Sequence, residues 1–460
     1  MEIWADSAVA YSAQAMSQLI GGVRYRDRTR ELRASQARYF TEVGRLQAQG
    51  NLRVTNNQDG SVIENGDLVY LRETDYRSEE EMTVTTGADG IRPRAQVRPA
   101  RPDSLAPEAE PGAPYSVVGA RIVLRGSAYF NATGDVVIER DSLFAFGDSA
   151  EYEESSEMLV LVGSARVESG TYTLVGRTVT LGTAESEASE IHARREAFLT
   201  GDDLVVSAPH ITLHVLDGVV ERLVAVPLVD VPESEGDSLD STRPIALAQD
   251  FELTADSLEL TAPAEVVERI FAAGDARSVS RSRDSLNVAS LPDIARFDWL
   301  EGDTVIVSLT QVLAAPDTTT AAPSDETEYQ IERIVARVDA RSLYRLPPED
   351  SAAVAGVDPP AVHYVMGDEI TLIIEGGEVQ AMEVTGQTRG VHLEPLGAEP
   401  DSLPDLVPDS VPAVPAAADT AAGGVNDFTF SGGRPGSRPP SPLPLPATPP
   451  AQGARPWIRP

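Results

Sequence analysis

Along most of this chain apolar residues alternate with polar ones in short runs, as in Tyr172-Thr173-Leu174 and Val179-Thr180-Leu181. A period of two puts every second side chain on one face, the signature of a strand with one buried side. The runs recur around a fixed element: an apolar residue, a spacer, a small residue often followed by Asp, a spacer, then apolar-x-apolar. Leu253-Thr254-Ala255-Asp256-Ser257-Leu258-Glu259-Leu260 is its clearest copy. The small residue stands at Ala5, Ala34, Gly66, Gly119, Gly147, Gly176, Ala208, Ala255, Gly302 and Gly367. Asp follows it at Asp6, Asp67, Asp148, Asp256, Asp303 and Asp368.

Across each small residue the alternation slips by one. In a flat strand that slip would turn every later side chain to the opposite face. The repeat therefore predicts a strand bent at this point, with a β-bulge absorbing the extra residue and Gly or Ala, then Asp, at the corner. A second element, apolar-x-Gly-x-small-x-apolar, lies between corners, as in Leu161-Val162-Gly163-Ser164-Ala165-Arg166-Val167. Turn chemistry joins some arms, as at Asn56-Asn57-Gln58-Asp59-Gly60 between Val54 and Val62. No helical period competes, so the expected class is all-β: repeated bent antiparallel strands forming elongated units.

The repeats are expected over 1–88, 115–228 and, in divergent form, 249–395. Residues 89–114 are rich in Pro and Arg and read as a linker, 229–248 as an acidic insert, with further inserts near 313–328 and 347–360. From 396 to 460 the chain is Pro-rich, with few large apolar residues before Trp457. Such a segment buries too little surface to offset its ordering entropy, so a disordered tail is expected.

Composition narrows the function classes. Aromatic residues make up 5% of the 460, too few for the aromatic girdles of a transmembrane barrel, and no apolar run approaches the ~20 residues of a spanning helix. There are 72 acidic residues against 37 basic ones, all of them arginine, for a net charge of −35. That balance argues against a nucleic-acid partner, which needs basic patches for its phosphates. Without cysteine there is neither a disulfide framework nor a thiolate metal site. His210 and His214 on a strand would lie about 13 Å apart, too far to share one ion. No nucleophile elbow, phosphate loop or carboxylate pair in an apolar setting is present. The expectation is therefore no enzyme, no cofactor and no metal. Arg24, Arg26, Arg28, Arg30 and Arg33 form a basic strip, either for lipid phosphates or, with Asp27 and Glu31 among them, a solvated face.

The stretches Asp135-Val136-Val137-Ile138, Gly147-Asp148-Ser149-Ala150-Glu151-Tyr152, Leu161 to Val167 and Gly176-Arg177-Thr178-Val179 resemble the OstA-like (organic solvent tolerance-like), LptA-type family of periplasmic lipopolysaccharide-transport proteins. The resemblance implies a folded-over jelly roll, or β-taco, open along one side, whose apolar interior holds acyl chains and whose copies join edge to edge. On that reading the chain is periplasmic and transfers lipopolysaccharide or a similar acylated lipid along an envelope bridge to the outer membrane. Its partners would be other transport components, or itself through edge-strand addition. The candidate groove lining is Val117, Ile122, Leu124, Val136, Ile138, Leu143, Leu174, Val179, Leu181, Val206, Ile211 and Leu213. The alternative is a structural or adhesive β-repeat scaffold whose interior is packed and binds nothing. The chain opens inside a copy of the repeat, without a signal peptide, and is expected to have a truncated or mis-called start.

Overall fold

Each repeat folds as a strand turned sharply at its small residue. The computed structural model describes residues 2–395 apart from 59, 98–113, 126–128, 141–142, 154, 183–187, 202–203, 217–218, 229–242, 249–250, 264–265, 281–285, 314–326, 347–358 and 376–377. These residues form one continuous antiparallel ladder of 28 strands; helix is confined to short 3-10 turns such as Ser12–Gln14. The protein is all-β, as the alternation predicts.

Every rung of the ladder has two arms joined at the corner. In Leu143–Glu153, the first arm (arm A) pairs Leu143 with Arg140 on one side and Ser169 on the other. Beyond the corner, arm B pairs Glu153 with Tyr129 and Met158. Some rungs are split in two at the corner, such as Tyr115–Val118 with Arg121–Arg125. The first rung, Glu2–Trp4 with Ser7–Tyr11, pairs with Met16–Arg26, and the last, Glu378–Thr385 with Arg389–Leu393, pairs with Ala361–Glu375.

The ladder also runs through segments read from composition as connections. Arg94–Val97, inside the expected linker, is a strand between Val62–Glu64 and Tyr115–Val118. Ile245–Ala248, at the end of the expected acidic insert, pairs with Leu204 to Ser207, and Thr327–Leu346 begins within the insert placed at 313–328. In the first two the alternation persists on a small scale, since Ala95 and Ala246 are buried on the inward face. Pro, Arg and acidic residues around them masked that signal. Residues 98–113, 229–242, 314–326 and 347–358 of these segments, and the tail from 396, lie outside the described residues.

At most corners the bulge lies one strand away from where the phase slip places it, Asn65-Gly66 being left-handed at the slip itself. Gly147-Asp148 keeps ordinary backbone angles, while both neighbours carry two successive left-handed residues: Gly134 (φ +82°) with Asp135 (+48°), and Gly163 (+74°) with Ser164 (+47°). Between the pairs Thr133↔Ser149 and Val136↔Gly147, two residues oppose the single Asp148. The left-handed pair makes the inward step an even one, from Leu161 to Ala165, and preserves parity, whereas Gly147 to Ala150 spans an odd step. The same alternation of corner types recurs at Gly21-Gly22, Arg195-Glu196, Gly274-Asp275 and Val338-Asp339. A Cβ on Gly163 would overlap the carboxylate of Asp148; Gly21 with Asp6, Gly274 with Asp256 and Gly386 with Asp368 repeat the arrangement. At these four corners the Asp thus roofs a glycine of the neighbouring segment.

The inward faces of the two arms pack together into one core that runs from Leu19 to Leu372. Beside the corner, where the arms diverge, many inward residues are small: Ala132, Ala145, Ala150, Ala165, Ala193 and Ala197. Toward the arm tips they give way to Leu, Ile, Phe130 and Tyr172, because side-chain volume has to grow as the gap widens if density is to be kept. A second, smaller cluster lies on the outer face of arm A, where residues 286–298 fold back and seat Ala295 against Trp299, Leu343 and Val362.

Candidate functional site

The interior between the arms runs along the ladder as one apolar core. Val117, Val136, Ile138, Leu143, Leu174 and Val206 line it from arm A; Ile122, Leu124, Val179, Leu181, Ile211 and Leu213 line it from arm B. All belong to or pack on the main core, with Leu124 and Leu143 only partly buried. Strand pairing sets them in unbroken rows. In arm B one row passes Leu124, Phe130, Tyr152, Leu159, Leu181, Ile191, Leu213, Leu223, Leu260, Ile270, Val307, Ile334, Leu372 and Met382, each directly opposite the next. Upstream the row continues through Met82, Tyr70 and Leu46 to Tyr39. The interior is closed in this structure: Val117, Val179, Val206 and Ile211 each expose 0% of their surface.

Opposite the corner, the arm tips form a mouth edged by aromatic side chains whose polar ends reach water or a partner. Arg140 lies over Tyr115 at 4.6 Å and Arg125 over Tyr129 at 5.2 Å. In the first repeats Tyr25 Oη donates to Asp27 Oδ2 at 2.8 Å, and Tyr70 Oη donates to Glu80 Oε2 at 2.8 Å. Burial raises both tyrosine pKa values, and the bond to Asp27 raises that of Tyr25 further. Burial also pushes Asp27 upward, yet the bonds it accepts from Tyr25 and from the Thr29 and Arg30 amides outweigh this and hold its carboxyl below the ordinary value. Arg30, one of the alternating arginines, is not a solvated charge: it pairs with Glu80 across the mouth, while Arg33 pairs with Glu31 on the outside.

Pairing also gathers histidines that spacing alone kept apart. His192 and Glu190 on Ala188–Gly201 lie opposite Thr212 and His214 on Leu204–Leu216. Thr212 Oγ1 sits 3.1 Å from His192 Nδ1 and 3.3 Å from His210 Nε2, and Glu190 reaches His192 at 3.3 Å and His214 at 3.2 Å. Burial, then Arg194 and His192, hold His210 below its ordinary pKa. His192 was invisible to a reading along one strand, since only the register across two strands brings it in. Among the described residues no group of three or more His, Cys, Asp or Glu could hold a metal ion. No family model matches this chain, and a search of curated proteins finds no match to it either.

Proposed function

We propose that this protein binds an acylated lipid of the lipopolysaccharide kind between its two arms and passes it along the ladder, as a periplasmic component of an envelope bridge. The resemblance of the repeats to the OstA-like family motivates the reading. The observation that carries it is the unbroken apolar row from Tyr39 to Met382. At about 4.8 Å per strand such a row extends on the order of 80 Å, long enough to offer a chain-like ligand many equivalent positions. Each CH₂ taken up there gains about 0.8 kcal/mol, and similar layers in succession create no deep trap. The closed interior means that lipid uptake has to part the arms or replace their mutual packing by acyl chains.

That closure is also what favours the second reading, a packed β-repeat scaffold without a ligand. Photo-crosslinking separates the two. A probe at Val179, buried on the inward face, and a control at Thr180, on the outward face, are exposed to lipopolysaccharide with the protein shown to be folded. Crosslinks at Val179 alone are expected; crosslinks at neither position would leave the scaffold.

A further inference from the structure

We propose that the first repeats carry a clasp that holds the mouth shut, formed by Arg30 of arm A with Glu80 and Tyr70 of arm B. The inference goes beyond lipid binding and is tested on the protein alone.

Arg30 opens the strand Arg30–Phe40, and its arm, Arg30 to Arg33, pairs with Arg53–Asn56 in arm A. Tyr70 lies in Asp67–Leu71, which pairs with Arg45–Gln49 and Glu81–Thr85 in arm B. Glu80 ends the loop 72–80 between two arm B strands. Arg30 Nη1 donates to Glu80 Oε2 at 2.5 Å, Nη2 donates to Oε1, and the guanidinium lies 5.4 Å from the Tyr70 ring centre. A two-pronged guanidinium–carboxylate pair fixes orientation as well as distance, and here its two halves belong to opposite layers.

Both sides of the clasp are held in position. Asp27 Oδ1 accepts from the amides of Thr29 at 2.9 Å and Arg30 at 2.7 Å, which sets the turn that presents Arg30. The loop bearing Glu80 is tied back by the Arg72 amide to Gly44 at 2.9 Å and by a bridge between Thr74 and Arg77. Arg30 and Glu80 keep only 14% and 29% of their side-chain surface exposed, so water screens the pair poorly. Backbone pairing runs along each arm, so opening the mouth here breaks side-chain contacts and leaves the ladder intact. Residues behind the clasp, Val54 in arm A and Leu46 in arm B, are buried.

The chain has no cysteine, so a single Val54→Cys thiol reports opening without background. Its labelling rate by a small thiol reagent is measured in the full chain with and without Glu80→Gln, alongside Val179→Cys as a distant interior site. Glu80→Gln is expected to speed labelling at position 54 by about tenfold or more, because the ion pair loses its anionic half and the Arg30 cation is left beside a neutral amide. Labelling at position 179 is expected to stay unchanged. The exchange Arg30→Glu with Glu80→Arg restores the polarity across the mouth and is expected to slow labelling again. An unchanged rate at position 54, an equal rise at position 179, or no recovery in the exchanged pair would overturn the clasp.

Discussion

Substitution of one corner glycine, Gly163→Ala, probes the roofed-glycine corner that recurs at Gly21, Gly274 and Gly386. Gly163 has φ +74° and its successor Ser164 +47°, a region that costs an L-residue with a Cβ about 1–2 kcal/mol. The new Cβ would also overlap the Asp148 carboxylate and lie 3.0 Å from the Asp148 Cβ; moving that side chain and its strand aside adds about 1–2 kcal/mol. The sum is a local loss of about 2–4 kcal/mol. Each rung of such a ladder touches mainly its neighbours, so the loss is read by amide hydrogen exchange. Protection in Leu143–Glu153, Met158–Ser169 and Tyr172–Gly182 is expected to fall roughly 30- to 800-fold, while that of Arg30–Phe40 is unaffected. Adding Asp148→Ala removes the overlapping carboxylate and is expected to recover about 1 kcal/mol, leaving the backbone cost. Protection within about 0.5 kcal/mol of the parent, or no recovery on adding Asp148→Ala, would refute the account of the roofed glycine.

Two further expectations follow from particular residues. Val338 occupies the same kind of corner with φ +65° and an exposed side chain; relieving a β-branched residue of that conformation outweighs the added entropy of glycine in the unfolded chain. Val338→Gly should therefore stabilise the last repeats by about 0.5–1 kcal/mol, measured as the midpoint of chemical unfolding followed by a local probe; a lower midpoint contradicts it. His210 is held below its ordinary value of 6.5 by burial, Arg194 and His192, so the folded state binds its proton less readily than the unfolded state does. Its contribution is present above pH 6.5 and is lost as pH falls below that value. Unfolding free energies compared between about pH 7.5 and about pH 5 should decline less steeply in His210→Gln, and an equal decline would show that His210 is not responsible.

Much of the core could be read from alternation alone. Val117, Val136, Leu174, Val179, Val206 and Ile211 face inward as expected, because a period of two admits one inward set on either side of a corner. Two features lie hidden from local pattern. The Gly-Ser of Leu161 to Val167 holds the bulge, since a pair of left-handed residues preserves parity and leaves no slip, so the slip shows in the neighbouring Gly-Asp strand instead. Arg94–Val97 and Ile245–Ala248 are strands too short, and too heavily flanked by Pro, Arg or acidic residues, for composition to reveal them.

What the sequence by itself determined is the all-β class, the inward set of side chains and the recurrence of the corner, because each rests on contacts within one strand or one turn. Only the tertiary structure decided which rows adjoin, that the interior is closed, that His192 and Glu190 join His210 and His214, and that Arg30 meets Glu80 fifty positions away. Those outcomes depend on register between strands and on two layers meeting across a gap. The free energy of such meetings is shared among residues distant in the chain, so no local pattern encodes it.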